Sequence, residues 1–173
     1  NASGAGSNAV GLGNTASGFN SSAVGYGNTA SGYASSAVGH VNTASGHYSS
    51  AVGNQNTASG HYGSAVGYNN NASGITSSAL GYNNTALGYL SSALGNINIA
   101  SGTFSSAMGF NNNASGSYSS AVGYGNQAKG NAANAFGIQN TVDHGVSGTS
   151  SFISDGLGRA TANAFGSSNN VTG

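Results

Sequence analysis

Residues 22–49 read SAVGYGNTASGYAS followed by SAVGHVNTASGHYS, two copies of one 14-residue unit. The pattern extends in both directions along the sequence. A glycine occurs every seven residues from Gly4 to Gly137, and an alanine stands two residues before each of these glycines. The two heptads of a unit differ, since Ser-Ala-Val-Gly alternates with Thr-Ala-Ser-Gly. A fixed internal period is typical of repeat architectures, so we predict stacked coils of about 14 residues each.

The composition of the heptad decides which kind of repeat this is. Coiled-coil heptads need large apolar residues at two positions, and a glycine costs about 1 kcal/mol relative to alanine in a helix interior. Collagen needs glycine at every third residue and much proline, whereas this chain has no proline. The remaining possibility is an all-β parallel β-roll, in which each coil contains a short strand, a turn, a second short strand and a turn.

Side chains alternate between the two faces of a strand, so Ala and Gly share one face of Ser-Ala-Val-Gly while Ser and Val share the other. Alanine is uniform in both halves of the coil, which places it in the lumen of a thin roll. The alternative arrangement, with the valines in the lumen and the alanines outside, stays open. The recurring asparagines are expected at the turns, in the left-handed region and hydrogen-bonded along the stack.

With alanine inside, one outer face carries a line of large apolar side chains, one from each coil. Soluble monomers rarely expose so long an apolar patch, and a thin roll buries little area per residue. We therefore expect copies of the chain to pack together through this line, as a closed homotrimer. The predicted interface residues are Val10, Val24, Val38, Val52, Val66, Leu80, Leu94, Met108, Val122 and Phe136.

The sparse charge excludes several classes of function. Charged residues make up 2% of the chain and the net charge is zero, whereas a nucleic-acid-binding protein needs a basic face. The sequence has no run of 18 apolar residues that could span a membrane. We expect no cofactor, no nucleic-acid partner and no membrane insertion by this segment.

Residues 22–25 (SAVG) and 28–32 (NTASG) resemble the head repeats of trimeric autotransporter adhesins, the YadA-like heads. The resemblance covers residues 1–140 and resumes near residue 162. The resemblance implies a left-handed parallel β-roll, three intertwined or packed chains, and multivalent attachment to host matrix proteins or other surfaces. It also implies a place on the bacterial cell surface, anchored to the outer membrane by a part outside this sequence, and a role in virulence.

Two rival functions share the same repeat. Similar repeats occur in bacteriophage tail fibres, so the chain could be a structural rod without a ligand. Residues 14–18 (NTASG) also resemble the repeats of plant ice-binding β-rolls, although alanine stands where those have valine.

The opposite face of the roll and several tyrosines form the candidate ligand surface. Serine and threonine offer hydrogen-bonding groups, and tyrosine offers a large contact area with a polar tip. The predicted residues are Thr15, Ser17, Thr29, Ser31, Thr43, Ser45, Thr57, Ser59, Tyr33, Tyr48 and Tyr62.

The repeat is interrupted near the carboxyl terminus. We predict a regular roll over residues 1–141, an irregular insert or altered coil over 142–161, and a resumed roll over 162–173 that precedes a neck or stalk. Insertions in solenoids usually form loops on one face and can carry binding. The candidate residues of this loop are Asp143, His144, Asp155 and Arg159.

No motif in the sequence predicts an enzyme. Residues 11–16 and 25–30 match a glycine-rich dinucleotide fingerprint, but the helix and the acidic residue that this motif requires are missing. Asp143, His144, Ser147 and Asp155 are residue types of a hydrolytic triad without a nucleophile elbow. His47 and His61 are expected to be neighbours on stacked coils, without the carboxylate or cysteine partners that metal sites usually have.

Overall fold

The computed structural model describes residues 1–143 and 163–172, in which the only regular elements are β-strands. Each coil contains one long strand and one short strand. The long strands are β1 (Asn8–Leu12), β3 (Ser22–Tyr26), β5 (Ser36–His40), β7 (Ser50–Asn54), β9 (Ser64–Tyr68), β11 (Ser78–Tyr82), β13 (Ser92–Asn96), β15 (Ser106–Phe110), β17 (Ser120–Tyr124), β19 (Asn134–Ile138) and β21 (Asn163–Ser167). The short strands are β2 (Thr15–Ala16), β4 (Thr29–Ala30), β6 (Thr43–Ala44), β8 (Thr57–Ala58), β10 (Asn71–Ala72), β12 (Thr85–Ala86), β14 (Ile99–Ala100), β16 (Asn113–Ala114), β18 (Gln127–Ala128), β20 (Thr141–Val142) and β22 (Asn170–Val171).

The strands form two parallel sheets of 11 strands, one from the long strands and one from the short strands. Within each sheet a residue pairs with its equivalent in the next coil, as Ala23 does with Ala37 and Thr29 with Thr43. The predicted 14-residue coil is therefore confirmed.

The lumen between the sheets is filled by alanine. Ala23 in the long strand and Ala30 in the short strand are both fully buried, and the same holds for their equivalents in the inner coils. The valines lie on the outer side of the long-strand sheet, where Val38 and Val52 are each 38% exposed. These exposures exclude the alternative arrangement with valine in the lumen.

The glycine of each heptad is required by the close approach of successive coils. A Cβ added to Gly46 would lie 2.0 Å from the carbonyl oxygen of Gly60, and one added to Gly39 would lie 2.1 Å from that of Gly53. Gly39 also has a φ of +119°, which L side chains rarely adopt. At Gly46 the backbone conformation is ordinary, and only the lack of space for a Cβ prevents substitution.

Each coil turns at two corners that we name by their buried residue. The asparagine corner follows the long strand, as at Gly27–Asn28, and the serine corner covers residues 31–35 and their equivalents. The residue just before the buried Asn or Ser has a positive φ, for example Val41 at 54° and Tyr48 at 57°. The prediction that the asparagines occupy the left-handed region was therefore wrong, because the preceding residue makes the turn.

The buried asparagines form a hydrogen-bonded ladder along the stack, as predicted. Asn28 Nδ2 donates to Asn14 Oδ1 at 3.0 Å, to the Val24 carbonyl at 3.0 Å and to the Gly39 carbonyl at 2.7 Å. Asn28 Oδ1 in turn accepts from the backbone and side-chain nitrogens of Asn42. Each amide thus joins three coils, which satisfies polar groups that burial would otherwise penalise.

The interruption near the carboxyl terminus lies between the short strand β20 and the long strand β21. Strand β21 pairs directly with β19, and Asn134 lies opposite Asn163. These residues are 29 positions apart instead of 14, so this coil is 15 residues longer than the others. Val142 belongs to β20 and is fully buried in the alanine row of the lumen. His144, Asp155 and Arg159 of the predicted insert lie outside the described residues.

Candidate functional site

The predicted interface residues form one continuous column on the outer side of the long-strand sheet. Neighbouring members are directly opposite each other in the sheet, as Val66 is to Leu80 and Leu94 is to Met108. Their exposure ranges from half-buried at Val24 to 58% at Val10. We call this set, from Val10 to Phe136, the apolar column.

A second column, which sequence reasoning missed, lies beside the apolar column on the same outer side. It is formed by the last residue of each long strand from β1 to β19 and is called the strand-end column: Leu12, Tyr26, His40, Asn54, Tyr68, Tyr82, Asn96, Phe110, Tyr124 and Ile138. Its rings stack between coils, with centroids 5.2 Å apart for Tyr68–Tyr82 and for Phe110–Tyr124. Because the residue types of this column vary, no composition pattern indicates it in the sequence. The regular spacing of 14 residues between its members is the signal that could have predicted it.

The predicted threonines lie in the short strands, and the predicted serines directly follow these strands at the start of the serine corner. The threonines are half-buried and the serines exposed, as for Thr29 and Ser31. The surface becomes less regular toward the carboxyl terminus, where Leu87 and Ile99 are 47% and 40% exposed.

Aromatic side chains also gather at the serine corners, where the predicted Tyr33, Tyr48 and Tyr62 lie. Six of these rings come from four successive coils and form what we call the serine-corner strip: Phe19, Tyr33, His47, Tyr48, His61 and Tyr62. Tyr89, Phe104 and Tyr118 stand at the same corner further along the stack. The centroids of His47 and His61 are 4.7 Å apart, which confirms that they are neighbours. Tyr48 stacks on Tyr62 at 5.2 Å and meets Tyr33 edge-on at 5.3 Å.

The crowding of these rings affects one ionisable group. Partial desolvation, together with the neighbouring Tyr33 and Tyr62, raises the pKa of Tyr48 above its ordinary value of 10.0. The phenol of Tyr48 therefore loses its proton only at a higher pH than that of an ordinary tyrosine.

The other candidate chemistry of the sequence finds little structural support among the described residues. Asp143 forms an ion pair with Lys129 at 3.2 Å, and the remaining triad candidates lie outside the described ranges. The glycine-rich match at 25–30 runs from a strand through an asparagine corner into another strand. Within residues 1–143 and 163–172, no three His, Cys, Asp or Glu side chains are grouped so that they could hold a metal ion. In the same ranges no helix is long and apolar enough to cross a membrane.

A comparison with family models identifies the repeat. The model described as YadA head domain repeat (2 copies) matches residues 16–41, 44–70, 72–96, 86–112 and 100–126, which together are more than half of the chain. The comparison with curated proteins finds no match.

Proposed function

Because the chain belongs to the family of YadA head domain repeats, we propose that it is the head of a homotrimeric bacterial adhesin that attaches the cell to host matrix or another surface. The family and its β-solenoid fold are typically non-enzymatic, so attachment by contact alone is the activity proposed. The left-handed course of the coil stays a prediction from the resemblance.

The observation that carries this proposal is the apolar column. The core of the described residues consists almost entirely of alanine, so an isolated roll leaves its larger apolar side chains outside. Met108 and Leu80 remain 39% and 37% exposed. Packing three copies around one axis removes such a column from water, at about 25 cal/mol per Å² of apolar surface.

The strand-end column widens the proposed interface. Tyr26 and Tyr82 lie two residues beyond Val24 and Leu80 on the same outer side, and they are 52% and 48% exposed. Interfaces are enriched in tyrosine and depleted of charge, and the charged side chains of the described residues, Lys129 and Asp143, directly follow the short strands β18 and β20. We therefore assign this column to association and leave the short-strand sheet and the serine corners for binding.

The first test is the mass of the protein in solution, measured by light scattering after size exclusion. We expect a trimer, and we expect Leu80→Asp to give a monomer because it places one carboxylate from each subunit beside the axis. Leu80 is partly exposed in the single chain, so this change should leave the roll folded. Ser59→Asp, at an exposed position just after the short strand β8, is the matched control and should remain trimeric.

The second test measures attachment of beads that carry the protein to surfaces coated with collagen, fibronectin or laminin. Repeated weak contacts along the rod and across three subunits should make attachment far stronger for the trimer than for Leu80→Asp. A stable monomer of the unsubstituted protein, or a trimer that attaches to no surface, would contradict the adhesin proposal. The second of these results would favour a purely structural rod.

A further inference from the structure

We infer that the serine-corner strip binds a neutral glycan chain laid along the axis of the rod. This inference rests on the proposed adhesive function and names a ligand class for it. The strip occupies the edge of the roll opposite the strand-end column. A trimer formed through the apolar column therefore leaves the strip facing solvent.

Two aromatic residues of the strip occupy a corner position with a strained backbone conformation. Tyr48 and Tyr62 have φ angles of 57° and 58°, at a position that Asn20 and Ala34 occupy in the two preceding coils. Asparagine and glycine enter the left-handed region readily, whereas bulky residues there are strained. Stacking between the rings recovers part of this cost, yet Tyr48 and Tyr62 remain 49% and 58% exposed.

The chemistry of the strip suits a sugar chain. A pyranose ring presents C–H groups on its faces and hydroxyl groups at its rim, so it packs against aromatic rings while its hydroxyls seek hydrogen bonds. The strip supplies the apolar body of tyrosine together with polar tips at Tyr48, Tyr62, His47 and His61.

The charge of the surroundings selects a neutral glycan over an acidic one. The charged side chains of the described residues, Lys129 and Asp143, are paired with each other at 3.2 Å. They lie in coils well beyond those that contribute the strip. A sulfated or carboxylated glycan would find no lysine or arginine there to offset its loss of hydration.

The spacing of the rings suits a linear polymer. Stacked centroids repeat at 4.7 Å for His47–His61, 5.2 Å for Tyr48–Tyr62 and 5.3 Å for Phe19–Tyr33. A chain that runs parallel to the axis therefore meets a similar group at every coil. Each added contact acts at high effective concentration, so weak individual contacts accumulate.

The test is isothermal titration of the whole chain with three neutral hexasaccharides, cellohexaose, chitohexaose and maltohexaose, with heparin as the charged comparator. We expect at least one neutral hexasaccharide to bind and heparin not to bind. Tyr48→Asn combined with Tyr62→Asn should weaken binding by about tenfold or more, because two ring contacts are lost. The same double variant should melt no lower than the unsubstituted protein, because asparagine relieves the positive φ.

The matched control is Ile97→Asn at an asparagine corner, where Ile97 has a φ of 57° and is 37% exposed. It relieves similar backbone strain on the opposite edge and should leave glycan binding unchanged. Absence of binding to all three neutral hexasaccharides, tighter binding of heparin, or unchanged binding by the double tyrosine variant would overturn the inference. If beads carrying the trimeric double variant attach as well as the unsubstituted protein, the glycan inference fails and adhesion stands. If the unsubstituted protein is itself a monomer in solution, the proposed function is overturned instead.

Discussion

At the scale of single residues, the buried asparagines make most of the polar contacts in an interior that otherwise consists mainly of alanine and serine. Asn84 is fully buried, and its Nδ2 donates to Asn70 Oδ1, the Leu80 carbonyl and the Gly95 carbonyl at 3.0, 2.9 and 2.7 Å. Its Oδ1 accepts from the backbone nitrogen of Asn98 at 3.0 Å. All the hydrogen-bonding capacity of this amide is used, so its removal leaves several buried groups unpaired.

We predict that Asn84→Ala lowers the free energy of unfolding by about 3 kcal/mol. A buried group left without its partner costs about 1–3 kcal/mol, and the Asn98 N–H and the Gly95 carbonyl both lose one here. Urea unfolding followed by circular dichroism measures the change.

The serine corner offers the matched control, Ser77→Ala. Ser77 is also fully buried, but its hydroxyl has no hydrogen-bond partner, and Gly63 and Ala133 fill the equivalent positions. Its replacement should change stability by less than about 0.5 kcal/mol because it leaves no new unpaired group. Equal losses for the two variants would show that the ladder gives no special stability.

At the scale of strands and corners, stability comes from contacts between coils, because a two-residue strand cannot stand alone. The tightest of these contacts is at the heptad glycines. We predict that Gly46→Ala destabilises the protein by about 3 kcal/mol or more, since its Cβ would lie 2.0 Å from the Gly60 carbonyl oxygen. The melting temperature measures the effect.

Gly27→Asn is the control that distinguishes the effect of steric crowding from that of a positive φ. Gly27 has a φ of +65°, and the nearest atom to an added Cβ is Val41 Cγ2 at 3.5 Å. Asn69, Asn83 and Asn111 adopt the same conformation at equivalent corners, so this variant should fold normally. A stable Gly46→Ala protein would mean that successive coils can move apart locally and that their close approach at the glycines is not required for folding.

The strand and corner scale also shows what the sequence could and could not predict. The 14-residue period and the alanine lumen follow from residues that never vary within the regular repeat. The residue with positive φ varies among Gly, Val, Gln, Asn and Ile at the asparagine corner, as Val41, Gln55 and Ile97 show. The positive φ at this position is imposed by the closure of the coil, so the residue type there does not predict it. The buried asparagine next to it favours the left-handed region by residue type, and for that reason it was wrongly predicted to make the turn.

The same reasoning separates the two outer columns. The apolar column was predictable because nearly every member is aliphatic, from Val10 to Met108. The strand-end column mixes aromatic, amide and aliphatic side chains, so no single residue type marks it in the sequence. Its Tyr26, Tyr68 and Tyr82 lie at strand ends, whereas Tyr48 and Tyr62 lie at a corner. Whether a tyrosine lies at a strand end or at a corner depends on the unequal lengths of the long and short strands. The seven-residue spacing of alanine and glycine is the same in both halves of the coil, so it does not show this difference.

At the scale of the whole molecule, the rod is a one-dimensional stack in which each coil contacts its two neighbours. We predict that deletion of residues 50–63, one complete coil, leaves a folded protein. Strand β5 would then pair with β9, Ala37 would meet Ala65, and the amide ladder would pass from Asn42 to Asn70. Far-ultraviolet circular dichroism and size exclusion should show an intact, slightly shorter rod.

Deletion of residues 50–56, half of that coil, should fail although it removes fewer residues. It forces residues 57–63 (TASGHYG) into the place of a long strand and its asparagine corner. Ser59 would replace Val52 in the apolar column and Gly63 would replace Asn56, which breaks the ladder between Asn42 and Asn70. Gly60, whose φ is not in the left-handed region, would also have to adopt the 118° of Gly53. If both deletions fold equally well, the structural unit is the heptad and the two sheets are interchangeable. If only the complete coil can be removed, the unit is the 14-residue coil, and the apolar column and the binding edges are properties of that coil.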